Sequence, residues 1–155
     1  MRKPSGSGTG RTGADLFFFL GAALHLVQDV TIPQHVNIRL LEDHRQFENF
    51  VKRTYQNVHA FQAFEGAYVL STIENYIRFN ARTALKIYKR FRTVKNDESR
   101  YYRITKCTLP LAERTSAGVL VMFYNNVIRP SLPGRPSYLL PKEMKKIQHA
   151  GSAVR

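Results

Sequence analysis

Between positions 16 and 30 the chain is almost continuously apolar, and Pro33 follows directly. A run of that length is too long for a strand but makes about four turns of helix. Proline disfavours the α conformation at the residue before it, here Ile32, so the helix should end by about Val30. A helix this apolar is expected to be buried.

The same helical spacing continues downstream, and no stretch alternates as a half-buried strand would. A second helix should start near Asp43 or His44, with Glu42 and Asp43 suited to its positive end. Phe47, Phe50, Val51, Tyr55 and Val58 then fall on one face. Phe61, Phe64 and Tyr68 begin a third segment. Ile73, Tyr76, Ile77, Ala84, Ile87, Tyr88 and Phe91 carry the pattern on after a break near Ser71. On the other side of that segment, Arg78, Arg82, Lys86 and Lys89 form a basic stripe at steps of three or four. Residues 96–99 read as a polar loop. The last helix is expected over 111–128, with Leu111, Thr115, Gly118, Val119, Met122 and Phe123 facing inward. From Pro130 onward four prolines exclude regular structure. The expected organisation is a disordered basic leader over 1–13, an all-α domain over 14–129 and a proline-rich basic tail over 130–155.

The single cysteine, Cys107, excludes a disulfide framework and any thiolate zinc site of the finger type. A bound metal would have to be held by imidazole and carboxylate. No apolar run reaches the length of a membrane span. Residues 16–27, preceded by Arg2, Lys3 and Arg11, resemble the start of a signal peptide, but His25 interrupts them and no small-x-small cleavage site follows. The net charge of +13 favours anionic partners, whether nucleic acid, acidic lipid or phosphate-bearing substrates, without choosing among them.

The chemistry is concentrated in a short window. His25 and Asp29 are four residues apart, so in a helix both leave the same face one turn apart. Taken alone, such a pair is more often a histidine whose ring N–H is satisfied by the carboxylate. His44 and Glu48 repeat the spacing on the second helix, where a solvated helix start is the ordinary reading. His35 lies between the pairs, and a proline-stiffened turn at Pro33 would bring it back toward both helix ends. An unpaired carboxylate within an apolar helix costs several kcal/mol, so Asp29 needs a partner. A divalent cation would satisfy the group together, and zinc suits imidazole and carboxylate ligands in open sites.

These residues resemble the zinc-dependent phospholipase C family. The stretch LGAALHLVQDVTIPQH at 20–35 is similar to that family's H-x3-D-x3-P-x-H signature, and HRQFENFV at 44–51 to its following H-x3-E segment. RTSAG at 114–118 resembles its closing helix, so the resemblance covers about 16–128 and is strongest over 20–51. It implies an all-α bundle holding up to three zinc ions. His35, His44 and Glu48 would hold one ion, while His25 and Asp29 would serve a neighbouring pair with Asp29 bridging. Asp29 and Glu48 would be the catalytic carboxylates, acting through water on the metal. The implied reaction is hydrolysis of a phospholipid to diacylglycerol and a phosphorylated head group, and the implied setting is secretion.

The match is partial. The family uses an N-terminal tryptophan, further histidines and an aspartate upstream, whereas this chain has no tryptophan and no histidine before His25. Asp15 is its one earlier carboxylate. His59 and His149 match no family position and are expected on the surface. A fragment of a longer enzyme, a relative with fewer metals and a scaffold without catalysis are all compatible, the first being favoured by how abruptly the basic leader runs into the motif. Two other functions stand beside the phospholipase: a single-strand nuclease, whose family shares the fold and the first part of the motif, and a non-catalytic basic module for anionic membrane or nucleic acid.

Overall fold

The apolar run does form a helix, but not a buried one. The computed structural model describes residues 13–37 and 43–132, and every regular element among them is helical. Helix α1 spans Gly13–Asp29 and α2 is a single turn, Pro33–Val36. Helix α3 spans His44–Thr54, α4 Ile73–Phe91, α5 Asp97–Phe123, and α6 is a short turn at Arg129–Ser131. Of the expected leader over 1–13 only Gly13 is described, and it opens α1; of the expected tail over 130–155 only 130–132 are described. Pro130 does not end regular structure as expected, because it sits in the first turn of α6, where no intrahelical N–H is needed.

Helix α1 packs on α4 and α5 along one side. There Val27 is fully buried and Leu20 and Leu24 are partly so. The rest of its surface is open: Phe17 is 62% exposed, Phe18 72%, Phe19 53% and Leu26 53%. Helices α4 and α5 can cover only one side of a helix that is apolar all round.

Helix α4 begins where Thr72 caps it, its hydroxyl accepting the Asn75 N–H at 3.2 Å. Tyr76, Asn80 and Ala84 follow at steps of four and form its buried ridge. Asn80 ties three helices together. Its side-chain amide donates to the Val27 carbonyl of α1 at 2.9 Å and to Thr115 Oγ1 of α5 at 3.0 Å. The Tyr76 hydroxyl donates to the Tyr68 carbonyl at 3.0 Å and accepts the Leu70 N–H at 2.9 Å. The stripe Arg78, Arg82, Lys86 and Lys89 lies on the exposed side, with Arg78 paired to Glu74 at 2.6 Å.

The expected loop over 96–99 is the start of α5 instead. Asn96 caps it by accepting the Ser99 N–H at 2.8 Å, and Asp97 and Glu98 occupy the positive first turn. The helix then runs through Pro110, so it begins well before the expected Leu111. A proline inside a helix removes one backbone bond, and burial of Ile104, Thr105, Thr108 and Leu111 around it holds the two halves together. Leu111, Thr115, Gly118 and Val119 are buried as expected, while Met122 and Phe123 are half-buried. A second core joins α3 to α5 through Phe47, Phe50, Phe61, Tyr101 and Ile104. Tyr55, expected on the face of Phe47 and Phe50, is exposed because α3 stops at Thr54, and the third helical segment expected from Phe61, Phe64 and Tyr68 is only a 3-10 turn at His59–Phe61, with Phe64 exposed beyond it.

Burial pushes the Tyr76 and Tyr101 phenols above the ordinary tyrosine value of 10.0, and at Tyr101 the Asp43 and Asp97 carboxylates add to it. Unfolded tyrosines ionise near pH 10 while these two stay protonated in the fold. Stability should therefore be level up to that pH and fall as the pH rises through the raised folded values. Urea midpoints followed into the alkaline range will show this; a flat profile above pH 10 would contradict it.

Candidate metal centre

The turn after α1 carries the geometry of the site. Thr31 is buried, and both its N–H (2.9 Å) and its hydroxyl (2.7 Å) bond the Gln28 carbonyl. The Ile32 N–H bonds the Asp29 carbonyl at 3.1 Å and the His35 N–H bonds the Ile32 carbonyl at 3.0 Å. With Pro33 in the first turn of α2, the chain reverses within a few residues and returns His35 to the end of α1. That is the path expected from Pro33. Helix α3 is set against it by Phe47, which is buried edge-on against Tyr101 with ring centroids 5.7 Å apart. Its start is clamped by Arg100, whose guanidinium reaches Asp43 at 3.1 Å and Asp97 at 2.8 Å.

The result is a cluster of three donors. His35 Nε2 lies 2.8 Å from His44 Nε2. His44 Nε2 lies 2.9 Å from Glu48 Oε1, and His35 Nε2 is 3.9 Å from the same oxygen. One ligand atom from each of the three residues falls within 4.8 Å of the others, so His35, His44 and Glu48 could hold a metal ion. The donor chemistry fits zinc. Bonds of about 2.0–2.1 Å in a tetrahedron place ligand atoms roughly 3.3 Å apart, within the span the three atoms already show.

Asp29 and His25 stand behind this group rather than in it. Asp29 Oδ1 is 3.4 Å from His35 Nδ1, the ring nitrogen opposite the one aimed at His44. A carboxylate there would orient the imidazole with Nε2 toward an ion. The other oxygen, Asp29 Oδ2, is 3.5 Å from His25 Nε2. Asp29 is not buried as the sequence suggested: its side chain is 38% exposed and that of His25 73%, because the side of α1 that carries them is uncovered. His59 is exposed in the 3-10 turn, and His149 lies outside the described residues. Cys107 is free and half-buried; burial pushes its thiol up, away from the thiolate that would bind metal or attack a substrate.

Two features have no signal in the local sequence. The Arg100–Asp43 clamp joins residues far apart in the chain. The other is a cavity of about 650 Å3 beside the site, with Asp29 in its wall and Ile32, Phe47, Val51, Leu109 and Leu120 making it largely apolar.

No family model, no curated protein and no solved structure matches the chain.

Proposed function

We propose that this chain is a zinc-dependent phosphodiester hydrolase of the phospholipase C type. The observation that carries the reading is the junction at Asp29, which touches the ring of a candidate ligand and also walls an apolar cavity. A substrate with a phosphodiester at one end and hydrocarbon at the other suits both halves of that junction. His35, His44 and Glu48 would hold the ion, and Asp29 would fix the tautomer and tilt of His35. Zinc when bound supplies a Lewis acid for phosphoryl oxygen and a means of ionising water near neutral pH. Glu48, at the ion's position, would hold the attacking water and its proton, while Asp29, on the far side of the His35 ring, would act through that ring. Ile32, Phe47 and Val51 would exclude bulk water from the apolar side of the substrate. His25 extends the carboxylate–imidazole chain outward and would take part in a second metal only with further ligands.

A second reading is supported by one observation. Arg82, Lys86 and Lys89 are exposed along α4, a spacing that could follow the phosphates of a single strand. The assay that separates the two uses zinc-loaded protein with monomeric short-chain phosphatidylcholine and with single-stranded DNA, each with and without chelator. Phosphocholine release abolished by chelator is the expected result. Cleavage of DNA without phosphocholine release would replace the lipase reading with the nuclease one. Activity on neither, with no zinc retained, would leave the non-catalytic module.

A further inference from the structure

The basic residues of the chain are not spread evenly. No carboxylate lies between Glu74 and Asp97 or between Glu98 and Glu113, stretches that make up nearly all of α4 and the first half of α5. Arg82, Lys86, Lys89 and Arg90 on α4, with Arg103 and Lys106 on α5, are all exposed there. Arg53, Arg78, Arg100 and Arg114 each reach a carboxylate, whereas none of these six does among the described residues. The two helices also bring their charges to one place. Burial raises the Cys107 thiol, and Arg90 from α4 and Lys106 from α5 both act against it, so both are within electrostatic reach of that one sulfur. Lys106 lies three and four residues beyond Arg103 and Tyr102, on the same side of α5. Along α4, Arg82, Lys86 and Arg90 follow at steps of four, each about 6 Å further along the axis.

A second cavity, of about 520 Å3, lies where this surface meets α3. Its wall includes Arg103 itself, the rings of Phe50 and Tyr102, and polar groups of Asn96 and Ser99. Tyr102 is 38% exposed, and its ring leans on that of Phe61 with centroids 5.4 Å apart. Asn96 Oδ1 accepts the Ser99 N–H at 2.8 Å, which leaves the Asn96 NH2 to donate. Glu98, also in the wall, is neutralised by Arg53 at 2.6 Å.

We propose that this surface binds single-stranded nucleic acid, with phosphates along Arg82, Lys86, Arg90 and Lys106 and one base in the cavity against Tyr102. Cations that track the backbone, beside an aromatic ring on which a base stacks, are the two parts such a site needs. The cavity is what selects this partner among polyanions. A duplex supplies phosphates but keeps its bases stacked inside, and an acidic bilayer has no ring to place there. The inference concerns binding alone: it adds the α5 cations and the cavity to the α4 stripe, and stands whichever substrate the metal centre takes.

A fluorescein-labelled oligothymidine with phosphorothioate linkages resists hydrolysis, so its anisotropy with the full chain reads binding without cleavage. Binding should weaken as salt rises. Lys86→Ala with Arg90→Ala should flatten the slope of log affinity against log salt by about 0.7 for each cation removed. Tyr102→Leu should weaken binding about 5- to 150-fold, the value of one stacked base, and leave the slope unchanged. Tyr102→Phe keeps the ring and should bind as the parent does. Arg45→Ala with Lys52→Ala removes the same charge from exposed positions of α3 and should leave the slope unchanged. Equal flattening by the two alanine pairs would overturn the inference, since total charge and not this surface would then be responsible. A duplex bound as tightly as the single strand would sink it too, as would anisotropy that stays flat at low salt or displacement of the strand by phosphatidylglycerol vesicles at equal phosphate. Chelator should leave binding intact; binding lost with the metal would move the strand to His35, His44 and Glu48, removing this surface and favouring the nuclease reading.

Discussion

Gly118→Ala should lower the stability of the fold by about 3 kcal/mol or more. A Cβ at this position would stand 1.7 Å from the Tyr68 carbonyl oxygen, 2.9 Å from the Tyr68 carbonyl carbon and 2.6 Å from the Tyr76 hydroxyl. Two of those atoms are backbone, so no rotamer change relieves the clash. The Tyr68 segment cannot retreat cheaply either. Its N–H bonds the Arg114 carbonyl at 3.1 Å, and its carbonyl accepts the Tyr76 hydroxyl. The Arg114 guanidinium lies 3.8 Å from the Tyr68 ring centroid while its Nε donates to the Gly66 carbonyl at 2.8 Å. Forcing a methyl into a packed interior costs about 1–3 kcal/mol when side chains can yield, and more when backbone must move. Against a total stability of about 5–15 kcal/mol, a cost of roughly 3 kcal/mol or above removes between about a fifth and three fifths of the margin. Urea unfolding followed by circular dichroism reads the effect. A midpoint within error of the parent chain would refute the close approach of α5 to residues 66–70.

The second large effect concerns the candidate centre. His44→Ala and Glu48→Gln should each lower zinc affinity by more than about 100-fold, since removing a direct ligand exceeds the 10–100-fold typical of an orienting partner. Asp29→Asn should fall within that 10–100-fold range if Asp29 acts through His35, and beyond it if Asp29 is itself a ligand. His59→Ala and His149→Ala should leave zinc content unchanged. Zinc at about 100 times its dissociation constant should stabilise the parent fold by about 2.7 kcal/mol, a shift that thermal denaturation resolves easily. Equal zinc retention by the parent, His44→Ala and Glu48→Gln chains would remove the centre from consideration.

Which parts of this arrangement can be read from the sequence depends on how local their causes are. The convergence of His35, His44 and Glu48 is legible because Pro33 sets the turn and the four-residue spacing sets the second pair. The helix type of α1, α3, α4 and the second half of α5 is legible for the same reason. The start of α5 is not: Asn96, Asp97, Glu98 and Ser99 have the polarity of a loop, yet those residue types also make a capped helix start, and Pro110 hides the continuity beyond. The exposure of α1 is not legible either. Hydrophobicity records what a helix would prefer to bury, whereas burial depends on how many neighbours the tertiary fold supplies, and here α4 and α5 supply only one side. The burial of Asp29 is illegible for the same reason: on an uncovered side of α1 its carboxylate is half-exposed and lies between two histidines. The Arg100 clamp and the apolar cavity arise from contacts distant in sequence, which no spacing encodes.

His35 and His44 are separated by nine positions, yet their ring nitrogens meet at 2.8 Å. An ion held by both would act as a crosslink as well as a reagent. Closing a loop of that length removes conformational freedom from the unfolded chain worth about 2–3 kcal/mol in the loop-entropy treatment used for disulfides. In a chain whose one cysteine rules out a disulfide within it, the ion would be the covalent bridge's counterpart, and it would be reversible. Loss of metal would then slacken the connection between α2 and α3, making zinc supply a control on how long the chain resists proteolysis.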